Sequence, residues 1–139
     1  MPESCEASVT LAGDLHARPA GALAEGTAEL AGQIAGGTVT IATAGGTEDG
    51  RIGTSIDKVE RALRLADGGA GVVILPDLGS SVLTVRALLS DADDLPDQVA
   101  VADAPFVEGA VAATVTAAAG GDVKAVLGAA EEARHARKL

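Results

Sequence analysis

The segment Gly71–Asp77, which reads GVVILPD, gives the clearest indication of the fold. Four of its residues form an unbroken apolar run that stops at a turn signal. Such a run is typical of a β-strand that is covered on both faces, as in a parallel sheet. Three further segments have the same short, apolar character: Ser8–Ala12, Thr38–Thr43 and Gln98–Ala102. Together these segments predict a mostly parallel sheet of four to five strands.

Helical patterns lie between and after the predicted strands. They cover five ranges: Ala20–Ala35, Thr54–Ala66, Ser80–Leu89, Pro105–Ala118 and Asp122–Arg137. Two serines can cap the third helix, and Asp122 can cap the last. The alternation of strand and helix predicts an α/β doubly wound fold with helices on both faces of the sheet. Since no repeat or linker divides the chain, we expect one domain over residues 1–139.

Composition and charge exclude several classes of function. Hydrophobic residues make up 47% of the 139 residues, but no apolar run reaches the ~20 residues of a membrane-spanning helix. Twenty acidic and ten basic residues give a net charge of −10, which repels phosphate backbones and anionic lipids. We therefore expect neither nucleic acid nor a membrane as a partner.

Cys5 is the only cysteine, and the first residues lack the pattern of a secretion signal. Because no internal disulfide can form, a reducing, cytoplasmic environment is expected. The two histidines, His16 and His135, give no metal-ligand spacing with each other or with the cysteine. We expect no metal and no other cofactor.

In a parallel sheet with right-handed crossovers, all strands end at one edge, where ligands bind. The loop after the first predicted strand contains His16, in the segment DLHARPA (14–20). A neutral imidazole is a good nucleophile toward phosphorus, and the helix amides and Arg18 could hold the phosphoryl group. The alternative is a surface histidine in a strand–helix loop.

Asp77 directly follows the third predicted strand, so its carboxylate could fix the tautomer of the His16 ring. Alternatively, it makes a turn with Pro76 and caps the next helix. The loop after the second strand, Gly45–Ser55, is rich in glycine and could offer amides and hydroxyls to a phosphate. A flexible connection or a nucleotide-binding loop are the alternatives there.

From Ala22 to about Glu132 the chain resembles the mannose-type enzyme IIA domains of the bacterial phosphotransferase system. The likeness is greatest to the phosphotransferase subunits of phosphoenolpyruvate-dependent dihydroxyacetone kinases. Four segments carry it: ALAEG (22–26), GGT with GT (45–47 and 53–54), DLGS (77–80), and APFVEG followed by AVAAT (104–114). The resemblance implies a dimeric α/β domain with an active histidine after the first strand. It also implies an aspartate after the third strand, which corresponds to Asp77.

The N-terminal segment departs from this family. The family's histidine position is occupied here by Pro19, and His16 lies three residues earlier. The segment LHARPA (15–20) instead resembles the phosphorylation site of the small phosphocarrier HPr. We therefore interpret residues 1–21 as HPr-like and residues 22–139 as enzyme IIA-like.

The resemblance implies a phosphotransferase with a phosphohistidine intermediate on His16. HPr or enzyme I would be the donor, and the nucleotide-binding subunit of the kinase would be the acceptor. The predicted phosphate-binding residues are Arg18, Gly53, Thr54, Gly79 and Ser80. The alternative from another class is a regulatory or binding module of the same fold that no longer transfers phosphate.

Overall fold

A computed structural model describes residues 7–13, 17–45 and 55–139, with the backbone alone at 13 and 17–20. Four strands and five α-helices alternate along these residues, and a short 3₁₀ turn follows the last helix. Their bounds are β1 (Ser8–Gly13), α1 (Ala17–Ile34), β2 (Ile41–Gly45), α2 (Ile56–Ala66), β3 (Val72–Pro76), α3 (Gly79–Asp91), β4 (Val99–Val101), α4 (Phe106–Ala118), α5 (Val123–Glu132) and the turn Ala133–His135.

The strands form one parallel sheet in the order β2-β1-β3-β4. In its register, Val9 of β1 lies between Ile41 of β2 and Val73 of β3, and Val73 in turn pairs with Ala100 of β4. The chain moves outward from β1 to β2 and then returns to β3 on the other side of β1. The strand order therefore reverses between β1 and β3, where a ligand crevice is expected in this architecture. The predicted α/β doubly wound fold is confirmed.

Helices cover both faces of the sheet. One face packs Val9, Leu11 and Val73 against α1, α4 and α5. The other packs Ala42 and Ile74 against α2 and α3. Because both faces of β3 are covered, all five of its residues are buried, as its unbroken apolar sequence predicts.

The helix α1 faces the sheet with small side chains. Ala24, Thr27 and Ala31 are buried at helical spacing, whereas the larger Leu30 and Ile34 are exposed. The same use of small residues is seen in α4, which buries Ala110, Ala113 and Ala117. Small side chains at a contact let helix and sheet backbones approach closely.

Several predicted boundaries are wrong by a few residues. The second strand begins at Ile41 rather than Thr38, because α1 ends in a glycine turn. Gly36 and Gly37 both have positive φ, and Gly37 N–H donates to the Gly32 carbonyl at 2.8 Å. Residues 38–40 then lead the chain back to the sheet.

The helix ends also differ from the prediction. The helix α1 begins at Ala17 rather than Ala20, so Pro19 lies in its first turn, where a missing N–H breaks no helical hydrogen bond. The last helix ends at Glu132, before the 3₁₀ turn, rather than at Arg137. Asp122 caps it as predicted, accepting from Ala125 N–H at 2.9 Å. No helix of the described residues has the length and apolarity needed to cross a bilayer.

Candidate functional site

The candidate site lies where β1 and β3 end side by side. The backbone N–H of Asp77, the first residue after β3, donates to the carbonyl of Ala12 in β1 at 2.8 Å. This bond joins the two strands across the point where strand order reverses. It places Asp77 at the crevice of a doubly wound sheet. The strand β1 ends at Gly13 and α1 begins at Ala17; His16 lies between them in the sequence, outside the described residues.

The carboxylate of Asp77 is held by two donors from the start of α3. One Asp77 oxygen, Oδ1, accepts from Leu78 N–H at 2.6 Å and from the Ser81 hydroxyl at 2.9 Å. Asp77 itself is partly buried and has further interactions beyond these two. Asp77 precedes the N-cap residue Leu78, and these two bonds orient its carboxylate at the edge of the crevice.

Ser81 is the residue that sequence reasoning missed. Its side chain is 0% exposed, and its hydroxyl lies 2.7 Å from the Leu78 carbonyl as well as close to Asp77. The two serines were expected to cap α3, but the N-cap residue is Leu78, which has no side-chain acceptor. Ser81 instead lies inside the first turn and accepts from Leu78 N–H at 3.3 Å. The available signal was its spacing, four residues after Asp77 and therefore one helical turn away.

Gly79 and Ser80, two of the predicted phosphate-binding residues, form the start of α3 and are exposed at the same edge. Backbone amides in the first turn of a helix have no acceptor within the helix, and the helix dipole favours an anion beside them. The start of α3 can therefore receive negative charge next to Asp77.

A crevice of about 350 Å³ opens beyond the ends of β3 and β4. Its volume lies within the ~300–1,000 Å³ range of ligand pockets. Three charged side chains line it, Asp77, Arg86 and Asp103. The remaining lining residues are small and mostly apolar: Pro76, Val82, Val101, Ala102 and Ala104.

The segment APFVEG (104–109) contributes Ala104 to the rim of this crevice. Gly109 lies in the first turn of α4, and a Cβ at this position would lie 3.0 Å from Ala104 Cβ and 3.2 Å from Leu75 Cδ2. Only glycine lets α4 pack this closely on the end of β3 without displacing Ala104. This close packing is the physical reason for a glycine at position 109, the last residue of APFVEG.

A second cavity, of about 400 Å³, lies at the end of β2 between α1 and α2. Lys58 and Arg61 of α2 line it, and Lys58 Nζ donates to the Gly45 carbonyl at 3.2 Å. Gly45 is the first residue of the predicted phosphate loop. The remaining predicted site residues, namely His16, Gly53, Thr54 and the Arg18 side chain, lie outside the described residues.

His135, the other histidine, is exposed in the 3₁₀ turn, with its Nδ1 3.1 Å from Glu132 Oε1. It therefore lies at a solvated end of the last helix. Within the residues that the structure describes, no group of three or more His, Cys, Asp or Glu side chains could hold a metal ion.

Comparison with known proteins identifies the family of the chain. The family model EIIA-man, described as PTS system fructose IIA component, matches residues 20–127. A solved structure described as that of the unknown-function protein EF1359 superposes with a TM-score of 0.76 and 29% identity. That match covers 91% of this chain and 94% of the other.

Three curated relatives are all described as phosphoryl donor subunit DhaM of a PEP-dependent dihydroxyacetone kinase. The Listeria innocua protein (dihydroxyacetone kinase 2) is 32% identical over 76% of this chain and 85% of its own length. Those of Providencia stuartii and Escherichia coli are 35% and 36% identical over 84% of this chain.

The lengths of these relatives differ. The chain spans only 25% of the Providencia stuartii and Escherichia coli proteins, but most of the Listeria innocua protein. The family match covers the crevice, Asp77 and the segment APFVEG. The chain belongs to the mannose-type enzyme IIA (EIIA-man) family of the phosphotransferase system.

Proposed function

We propose that the chain is a phosphoryl-transfer subunit of a PEP-dependent dihydroxyacetone kinase, with His16 as the residue that carries the phosphoryl group. HPr or enzyme I is the donor, and the ADP-bearing, nucleotide-binding subunit of the kinase is the acceptor. The chain works as a homodimer in the cytoplasm. The relatives described as phosphoryl donor subunits support this proposal, as does the HPr-like segment around His16.

The observation that carries the proposal is the position of Asp77. Its backbone bond to Ala12 and the donors from Leu78 and Ser81 fix a carboxylate beside the end of β1. His16 follows β1 by three residues along the chain. A carboxylate that accepts from one ring nitrogen leaves the other nitrogen unprotonated and able to attack phosphorus.

Both transfer steps exchange one bond to phosphorus for another. In the first, a ring nitrogen of His16 attacks the phosphorus of a phosphohistidine, and the donor nitrogen takes back the electron pair of the bond that breaks. In the second, a terminal phosphate oxygen of ADP attacks, and the electron pair returns to the His16 ring. The protein contributes positioning and charge stabilisation to these steps.

The test is acid-labile labelling with phosphoenolpyruvate, enzyme I and HPr. Wild type should take up one phosphoryl group per chain, and His16→Ala should take up none. His135→Ala is the matched control, because it removes the other histidine, which is exposed and far along the chain. Equal labelling of wild type and His16→Ala would overturn the assignment.

Omitting HPr from the same reaction separates the two donors. Persistent labelling identifies enzyme I as the direct donor, as the HPr-like segment suggests. Labelling that requires HPr identifies HPr as the direct donor. If no donor combination labels the chain, a regulatory or binding module is the better description, since His16 lies three residues before the family's histidine position.

The role of Asp77 is tested by Asp77→Asn, which removes the charge and keeps the shape. We expect the rate of His16 labelling to fall by at least about ten-fold, because the amide no longer stabilises the imidazole form that attacks. Asp103→Asn is the control, since Asp103 lies in the same crevice but interacts with Arg134. Equal rates for the two variants would contradict the pairing.

A further inference from the structure

Among the described residues that line the crevice beside Asp77, Arg86 is the one cation, and it has no role so far. Arg86 is the only basic residue of α3, two turns beyond Asp77, and its side chain lines the crevice. It makes no hydrogen bond or ion pair with any residue that the structure describes. A guanidinium without a partner is unusual next to two carboxylates in so acidic a chain.

The two carboxylates of the crevice are engaged elsewhere. Asp103 Oδ2 lies 3.4 Å from Arg134 Nη2, and the same Arg134 nitrogen donates to the Asp103 carbonyl. Asp103 N–H donates to Glu131 Oε2 at 3.1 Å. These three contacts tie the β4–α4 loop to the end of α5, and they pair Asp103 with Arg134 rather than with Arg86. Asp77 Oδ1 accepts hydrogen bonds from Leu78 N–H and from the Ser81 hydroxyl.

The surroundings of Arg86 combine apolar walls with a guanidinium that can donate to an anion. Pro76, Val82, Val101 and Ala104 form apolar walls, which lower the local dielectric and strengthen the field of the guanidinium. A guanidinium presents paired N–H groups that match the spacing of phosphoryl oxygens. The exposed start of α3, whose first-turn amides have no acceptor within the helix, lies at the same edge.

We propose that Arg86 binds the phosphoryl group while it is transferred through the crevice. This inference rests on the proposed function and names a further residue for it. Arg86 forms no covalent bond: it donates hydrogen bonds to the non-bridging phosphoryl oxygens and offsets the charge that accumulates on them. Its matched control is Arg64, another exposed helix arginine, which instead pairs with Glu60 at 3.0 Å.

The test uses phosphoramidate, a small phosphoryl donor that needs no partner protein. We expect Arg86→Gln to slow the labelling of His16 by about ten-fold, Arg86→Lys to label at an intermediate rate, and Arg64→Gln to match wild type. The second arm repeats the measurement with phosphoenolpyruvate, enzyme I and HPr. Arg86→Gln should be slow in both arms.

Two results would overturn the proposal. One is labelling of Arg86→Gln by phosphoramidate at the rate of wild type. The other is a loss confined to the protein donors, because Arg86 would then contact a partner's carboxylate rather than the phosphoryl group.

A wild type that is not labelled at all contradicts the proposed function, and the Arg86 site is then decided by binding. Inorganic phosphate is titrated into the ¹⁵N-labelled chain, and the arginine Nε–H signals are followed by NMR. A shift of the Arg86 signal with Arg64 unchanged supports an anion site in a chain without transfer activity. Equal or absent shifts of the two signals overturn it.

Discussion

Thr10 and Thr114 are both fully buried, but within the described part of the chain only the Thr114 hydroxyl has a partner. Thr114 Oγ1 donates to the Ala110 carbonyl at 2.7 Å inside α4. Thr10 Oγ1, in the central strand β1, has no hydrogen-bond partner among residues 7–13, 17–45 and 55–139. A buried hydroxyl without a partner keeps its full desolvation cost.

We therefore expect Thr10→Val to stabilise the protein. Valine keeps the branched shape that suits a strand and removes the unpaired oxygen, so the free energy of unfolding should rise by about 1 kcal/mol. Thr114→Val should lower it by about 1 kcal/mol, since that hydroxyl has a partner to lose. Urea unfolding measures both, and changes of the same sign would contradict the difference between the two sites.

Ser81 and Ser80 form a second matched pair. Ser81→Ala removes a buried hydroxyl that contacts Asp77 and Leu78, and we expect a loss of about 1–2 kcal/mol in unfolding free energy. Ser80→Ala changes an exposed side chain and should stay within about 0.5 kcal/mol. A Ser81→Ala variant as stable as Ser80→Ala would show that the buried hydroxyl contributes nothing.

The helix α4 packs closely at Gly109 against Ala104, which lines the crevice. Gly109→Ala adds a methyl group 3.0 Å from Ala104 Cβ and 3.4 Å from the Ala130 carbonyl. We expect a loss of about 1–3 kcal/mol in unfolding free energy from this overpacking. Because Ala104 lines the crevice, the rate of His16 labelling should fall as well.

Gly128 in α5 is the control for that substitution. A Cβ there would meet nothing within 4 Å, so Gly128→Ala should gain up to about 1 kcal/mol from helix propensity alone. Thermal unfolding of the two variants should therefore shift in opposite directions. Destabilisation of both would point to a general intolerance of alanine in these helices.

The whole chain carries a net charge of −10, and this charge acts against its compact state. At about 0.15 M salt, charges more than ~8 Å apart are screened. We expect the thermal unfolding midpoint to rise between low salt and about 0.15 M salt, because salt screens the repulsion among the acidic side chains. Salt also screens exposed ion pairs such as Arg64–Glu60, but these pairs contribute little stability. Choline chloride should act like sodium chloride, and a falling midpoint would contradict net repulsion.

The sequence predicted the layers of this molecule and the edge of the sheet at which Asp77 lies. Unbroken apolar runs identify strands that are buried on both faces, and the handedness of crossovers brings their ends to one edge. Asp77 beside the end of β1 follows from these two rules. The start of β2 could not be predicted in the same way. Residues Thr38–Thr40 are typical of a strand, but they connect the glycine turn at the end of α1 to the sheet.

Ser81 and Arg86 could not be assigned from the sequence. Both lie on α3, whose sequence GSSVLTVRALLSD has apolar residues on all sides. Helical periodicity therefore does not show which residues face the sheet and which face the crevice. Their positions depend on how α3 is rotated against β3, and this rotation is set by the packing of Val85 and Leu88 of α3 into the core.

Phe106, the first residue of α4, packs against the core directly behind the rim of the crevice, and it is the only aromatic residue of the chain. Without tryptophan or tyrosine the protein gives almost no near-ultraviolet emission. A partner that contains tryptophan would therefore emit alone in a mixture. Docking at the crevice can thus be followed through the partner's own fluorescence, without attaching a dye to either protein.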